Sequence, residues 1–238
     1  MAPRIVPPVL KVIESETMAD KVYQQLREAL MSGRFAPGQA LSLRSVAEAV
    51  GSSTMPVRAA LTRLRAAGKP ILLTARAAAE GGRPMPEPTR RAIYEAGLDL
   101  ADAIDVEIAS TELAAALVPA AHRAGRTVIL STHDFETTPP RTEILARVAR
   151  AFDAGADVAK VAAHAPSLAE LRILIDVTRG VSPSPIVTLA MGPMGPLSRF
   201  VLSAAGSLLT YAAAGTPTAP GQLALDELAA LFDRLLPR

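Results

Sequence analysis

Residues 127–163 read TVILSTHDFETTPPRTEILARVARAFDAGADVAKVAA. A β-branched, apolar run at Thr127–Ser131 gives way to an amphipathic stretch, Arg141–Ala154. A second apolar run follows at Val158–Ala162. Strand, helix and strand at this spacing predict one parallel β/α unit. The same alternation extends in both directions. Short apolar runs at Ile71–Thr74, Ile104–Ile108, Pro185–Met191 and Leu208–Ala212 predict further strands, six in all. Helical periodicity fills most of the gaps, at Thr89–Leu100, Glu112–Ala124 and Leu168–Thr178, and Asp226–Leu236 makes a closing helix. The fold class is therefore α/β with about six parallel strands.

Within this stretch two side chains stand out chemically. Lys160 lies in Asp157-Val158-Ala159-Lys160-Val161-Ala162-Ala163, apolar on both sides. Burial of a lysine depresses its pKa and frees the amine that attacks ketones. The bland alternative is a lysine at a strand end reaching out to water. His133 ends the preceding strand, and the carboxyl ends of neighbouring parallel strands converge on one pocket in a β/α barrel. An amine beside an imidazole suits imine formation followed by removal of a proton next to the carbonyl.

Residues 1–17 form a ragged leader with three Pro, and from Met18 to Gly68 the pattern is helical. Val22, Leu26, Ala29 and Leu30 recur at three- and four-residue spacing, and Gly33 stops that helix. A short helix over Leu43–Val50, capped by Ser42 and stopped by Gly51, is expected next. Ser52-Ser53-Thr54 then leads into a third helix with Pro56 in its first turn, running to Gly68. This is the layout of a helix-turn-helix, in which the third helix enters the major groove. Arg34, Arg44, Arg58 and Arg63 are placed to meet phosphates, with the Ser53 and Thr54 hydroxyls at the start of the reading helix. Residues 1–69 hold ten Lys or Arg against five acids, while the remainder is mildly acidic. A basic head on such a body fits a polyanion-binding module, DNA being the expected partner.

Composition excludes several classes. There is no Cys, so disulfides, thiolate catalysis and Cys-based metal sites are out. Three His without clustered carboxylates argue against a His-based metal site, and no metal or organic cofactor is expected. Aromatics are 3% of the chain, so the core must be Ala, Leu, Val and Ile. No apolar run is long enough to span a membrane, and the leader lacks a signal peptide's apolar segment, so a cytoplasmic protein is expected.

Two resemblances add to these readings. The segment Val22-Tyr23-Gln24-Gln25-Leu26-Arg27-Glu28-Ala29-Leu30, with Ser32-Gly33-Arg34-Phe35-Ala36-Pro37-Gly38, Val46–Gly51 and Pro56-Val57-Arg58, resembles the winged-helix domain of GntR-type regulators. Its wing is missing, and Arg is usual in that family where Thr54 stands. From Lys69 onward the chain resembles type I 3-dehydroquinate dehydratase. The pieces are Lys69–Arg76 with Glu80-Gly81-Gly82, Ile104-Asp105-Val106-Glu107, Ser131–Pro139, Gly155–Lys160, and Met191-Gly192 with Gly195 and Ser198-Arg199. Gly206–Tyr211 and Ala219-Pro220-Gly221-Gln222 complete the set.

The second resemblance implies a TIM-type (β/α) barrel, here incomplete because its first two β/α units are replaced by the helical head. It implies 3-dehydroquinate as substrate and an imine at Lys160. It implies His133 as acid and base, with Glu107 orienting it, and Arg199 on the substrate carboxylate. Arg76, Gln222, Thr218 (where Ser is usual) and Glu80 would hold other substrate groups. The expected organisation is a helix-turn-helix domain over 1–68 and a partial barrel over 69–238, joined at an abrupt seam read as a fusion of two gene fragments. A homodimer is expected. The alternative function is a GntR-type regulator whose barrel senses a shikimate-pathway acid.

Overall fold

The computed structural model of the chain describes residues 17–31, 47, 50–66, 70–181, 185–213 and 221–235. In chain order the elements are α1 (Met18–Met31), α2 (Thr54–Ala66), β1 (Leu72–Thr74), α3 (Glu87–Gly97), β2 (Ala103–Glu107), α4 (Thr111–Arg123) and β3 (Thr127–Asp134). They continue as α5 (Arg141–Asp153), β4 (Val158–His164), α6 (Leu168–Gly180), β5 (Ile186–Met191), α7 (Gly195–Ala205) and α8 (Leu225–Leu235). One-turn 3-10 helices lie at Ala78–Glu80 and Gly192–Met194.

The helices start where local chemistry starts them. Ser167 accepts a bond from the Ala169 amide, and Glu170 reaches back to the Ser167 amide, a capping box that begins α6. Pro139-Pro140 cannot continue a strand ladder, and α5 begins directly after them. Helix α7, which the strand-and-helix reading of the sequence did not single out, begins at Gly195-Pro196, with proline in the first turn.

The strands form one sheet in the order β1-β2-β3-β4-β5, every neighbour parallel. Parallel strands are buried on both faces, so each strand supplies two cores. Ile104, Val106, Val128, Leu130, Ala159, Val161 and Ile186 face the helices, where they pack with Leu117, Ile144, Leu171 and Leu174. Full burial of a residue such as Leu174 contributes about 1.5–3 kcal/mol. The opposite, inner face holds a smaller apolar patch of Ile129, Val158, Ala162, Val187, Leu189 and Met191. Asp105, Glu107, Ser131 and Lys160 share that inner face, while Thr132, Asp134 and Thr188 face the helices, where they bond Arg147 and Thr178.

Five strands replace the six expected. Leu208–Ala212 is not a strand. Its Leu208 amide donates to the Ile186 carbonyl at 2.8 Å, but no ladder follows. The reason lies on the outer edge of β5. There the Ser207 hydroxyl accepts from the Thr188 amide at 3.0 Å and donates to its carbonyl at 3.3 Å. The Ser198 hydroxyl accepts from the Ala190 amide at 3.2 Å and donates to the Gly195 carbonyl at 2.7 Å. Serine side chains thus take the backbone groups that a sixth strand would need. Among the described residues no ladder joins β1 to the 208–212 segment.

At the other end of the chain, α1 and α2 pack on each other through Val22, Val57 and Ala60, with Ala47 between them. Of the expected short helix over Leu43–Val50, only Ala47, helical and buried, and Val50, in a turn, are described. No helix among the described residues is long and apolar enough to cross a membrane.

Candidate active site

The site grows from strand alternation. In Ala103-Ile104-Asp105-Val106-Glu107, Ile104 and Val106 face the helices, so Asp105 and Glu107 face inward. Ser131 pairs with Glu107 on one side and Lys160 on the other, and Lys160 pairs with Val187. His133 lies two residues further along β3 and shares the same face. Lys160 is therefore not at a strand end. It is the third residue of β4, 5% exposed, with four strand residues beyond it.

Charges in such a place must pair. Lys160 Nζ donates to Asp105 Oδ2 at 2.7 Å, and Arg76 Nη2 reaches the same oxygen at 2.9 Å. Burial alone would raise the Asp105 carboxyl. Lys160 and Arg76 overcome that and hold it well below the usual carboxylate range. Burial lowers the Lys160 pKa; Asp105 opposes this and the Arg76 charge adds to it. Nζ also sits 4.6 Å from the centre of the Tyr211 ring, a cation–π distance.

Arg76 follows β1 and ties the inner face together. Besides Asp105 it donates to the Ser131 hydroxyl at 2.7 Å and lies 3.2 Å from Glu107. Glu107, fully buried, is held by the Ala77 amide at 2.8 Å and by a short bond from Arg90 on α3. Arg90 in turn donates to the Ala75 carbonyl at 2.8 Å and the Ser110 hydroxyl at 3.0 Å.

The expected Glu107–His133 pairing is replaced by a different one. The carboxylate on His133 is Glu80, whose Oε2 lies 2.8 Å from Nδ1. Glu107 is turned away because two arginines and a backbone amide claim it. The Glu80-Gly81-Gly82 motif explains how Glu80 gets there. Gly81 has φ +87°, and a Cβ on it would meet Phe135 Cζ at 2.5 Å. A Cβ on Gly82 would strike the Arg76 carbonyl at 2.0 Å. Only a glycine pair lets this turn fold under Phe135, whose ring stacks on His133.

Burial, reinforced by the Glu107 charge, pushes the Glu80 carboxyl up to about 7. Burial, with the Arg76 and Lys160 charges, pulls His133 down to about 2, so its imidazole is neutral at ordinary pH. An ionised Glu80 accepts from Nδ1–H and leaves the Nε2 lone pair free to take a proton. Arg76 Nη1 lies 3.4 Å from the same nitrogen, so the tautomer turns on whether Glu80 is ionised.

Arg199, on α7, is 2% exposed, yet its Nε and Nη1 have no hydrogen-bond partner among the described residues. Burial lowers its pKa to about 10, partly offset by Tyr211. The Tyr211 hydroxyl and Asp105 Oδ1 are likewise buried and unpaired. Gln222 is partly buried just beyond the turn at Gly221. Thr218, Arg34 and Arg44 lie outside the described residues. Ser53, Thr54 and Arg58 are exposed at the start of α2, and Arg63 is described only by its place on that helix. Among the described residues no three acidic or His side chains gather as a metal site.

Sequence reasoning missed Asp105, Tyr211 and Arg90. Asp105 had a signal, since alternation puts it on the same face as Glu107. Tyr211 and Arg90 reach the site only through tertiary packing.

Comparison with known proteins agrees with this geometry. The family model described as type I 3-dehydroquinase matches residues 44–235, a range that includes α2 as well as the sheet. The 3-dehydroquinate dehydratase of Shouchella clausii is 39% identical over 183 residues, covering 74% of this chain and 72% of the relative. That of Listeria innocua is 36% identical, with 75% of each chain covered. The crystal structure of 3-dehydroquinate dehydratase from Aquifex aeolicus superposes with a TM-score of 0.69 at 30% identity, over 76% of this chain and 81% of that one. The type I enzyme from Clostridium difficile, solved with covalently modified comenic acid, gives 0.67 at 31%, over 76% and 74%. With the inward lysine, its carboxylate partner and the unpaired arginine in place, the chain belongs to the type I 3-dehydroquinase family.

Proposed function

We propose that this chain is a 3-dehydroquinate dehydratase, a lyase that forms 3-dehydroshikimate through an imine on Lys160. The observation that carries the reading is Lys160 itself, buried on the inner face with its amine beside Asp105 and its pKa lowered. Nζ adds to the substrate ketone, and the ketone oxygen leaves as water to give an iminium. His133 takes the proton from the neighbouring carbon, and the electron pair moves into the enamine. That pair then expels the hydroxyl one carbon further, which His133 protonates so that it departs as a second water. Hydrolysis of the imine returns the free lysine. Arg199 grips the substrate carboxylate, a planar fork on a planar anion. Arg76, Gln222 and Thr218 hold the remaining oxygens, and Glu80 rather than Glu107 fixes the His133 tautomer.

Borohydride added with 3-dehydroquinate, read by intact mass, is expected to leave one covalent adduct that Lys160→Ala abolishes. No adduct, or one that survives that substitution, ends the reading.

A helix-turn-helix role for residues 18–68, divided from the barrel at Gly68-Lys69, is favoured by one observation. Ser53, Thr54 and Arg58 are exposed at the start of α2, which shares a core of its own with α1. Fluorescence anisotropy on a mixed-sequence duplex is expected to show binding that falls steeply with salt. Unchanged anisotropy at low salt removes this role.

A further inference from the structure

We infer that the Tyr211 hydroxyl is a second donor to the carboxylate that Arg199 binds. This inference rests on the dehydratase reading for the identity of the ligand.

Two buried donors stand without acceptors among the described residues. Arg199 Nε and Nη1 and the Tyr211 hydroxyl all lack a hydrogen-bond partner among the described residues. Tyr211 follows Thr210, whose hydroxyl donates to the Arg199 carbonyl at 3.1 Å, so the two side chains leave the same part of the fold. A buried cation and a buried hydroxyl left unpaired are both costly, and both costs vanish when one acceptor serves the two. That acceptor must be anionic to answer Arg199, and must offer two oxygens to answer both groups. A carboxylate does so.

The place of the ring is fixed from the other side. The Tyr211 ring packs against the inner apolar patch and lies over Lys160 Nζ at 4.6 Å. The backbone beside it is tied down by Thr210 Oγ1, which donates to the Arg199 carbonyl at 3.1 Å. The ring therefore borders the amine that forms the imine. A ligand held between Lys160 and Arg199 has its carboxylate and its reacting carbon set by the same side chain. Phenylalanine in this place would keep the ring and lose the donor.

The test uses the full chain, its Tyr211→Phe variant, and quinate, which has a hydroxyl where 3-dehydroquinate has its ketone and so forms no imine. Calorimetric titration is expected to show quinate binding about tenfold more weakly to Tyr211→Phe, the loss of one hydrogen bond to a charged group. Methyl quinate, with no anion, is expected to bind both proteins equally. Because the lost hydroxyl has no partner among the described residues, the melting temperature is expected to hold or rise. Equal quinate affinity in the two proteins overturns the inference. So does a wild-type chain that prefers the ester, or a variant that melts lower, which would make the hydroxyl structural. The dehydratase reading fails separately, in the borohydride experiment on wild type, and neither result decides the other.

Discussion

Glu80 connects a proton to a geometry. With its carboxyl raised to about 7 and 2.8 Å from His133 Nδ1, it changes state within the ordinary working range. Above that point it is an acceptor and keeps the proton on Nδ1. Below it, the carboxylic acid donates to Nδ1, the imidazole proton moves to Nε2, and the base is lost. The rate constant kcat/KM is therefore expected to rise with pH through about 7, and Glu80→Gln, which cannot ionise, is expected to abolish that limb. The same group fixes a sign for stability. Its folded pKa lies above the ordinary value of 4.5, so between about 4.5 and 7 the folded state holds a proton that the unfolded state has released. Stability then falls as pH rises across that window. Urea titrations at pH 4.5 and 7 are expected to show a smaller fall for Glu80→Gln than for wild type. An equal fall in both would assign the slope to other groups. Lys160 and His133 were legible in the sequence because each sits at a fixed position in an apolar run. Their carboxylate partners were not, because which acid reaches which base depends on how the turn after β1 folds.

At the level of elements, alternation carried most of the information and backbone edges carried the rest. Strands β2, β3 and β4 were readable from their periodicity, and the face on which Lys160 and His133 meet follows from it. The sixth strand was misread because Leu208–Ala212 has the composition of a strand. Composition does not reveal that Ser198 and Ser207 already occupy the edge of β5. The link between α3 and β2 was equally hidden. Arg90 is 3% exposed and joins Glu107, Ala75, Glu87 and Ser110 in one cluster, so it sets where β1 ends and where Arg76 leaves the strand. Removing one partner of a buried pair costs about 3–5 kcal/mol. Arg90→Ala is expected to lose stability on that scale in urea unfolding and to weaken substrate binding through a misplaced Arg76. Arg90→Lys is expected to recover little, since one ammonium cannot serve four acceptors in a plane. Full recovery by lysine would show that charge alone matters there.

Over the whole molecule, the two faces of the sheet divide the labour of folding and chemistry. The helix-facing side is an apolar core, while the inner side gathers Asp105, Glu107, Lys160, Arg76 and Arg199. The family match covers 44–235, yet among the described residues the sheet has five strands, fewer than the ring of a closed barrel. Stability must then come mainly from the outer core, and the inner charges are held at its expense. This gives opposite expectations for two substitutions. Leu174→Ala, on the outer side, opens a cavity and is expected to cost about 2–5 kcal/mol in urea unfolding while leaving KM for the folded protein unchanged. Arg199→Met keeps the side chain's length and removes a buried cation whose Nε and Nη1 meet no acceptor among the described residues. It is expected to raise the melting temperature while KM rises steeply or activity disappears. A buried guanidinium with two nitrogens left without an acceptor among the described residues gains little in the free protein, so its retention points to a ligand. If Arg199→Met melts lower than wild type, the guanidinium is part of the core, and the carboxylate site must be sought elsewhere on the inner face.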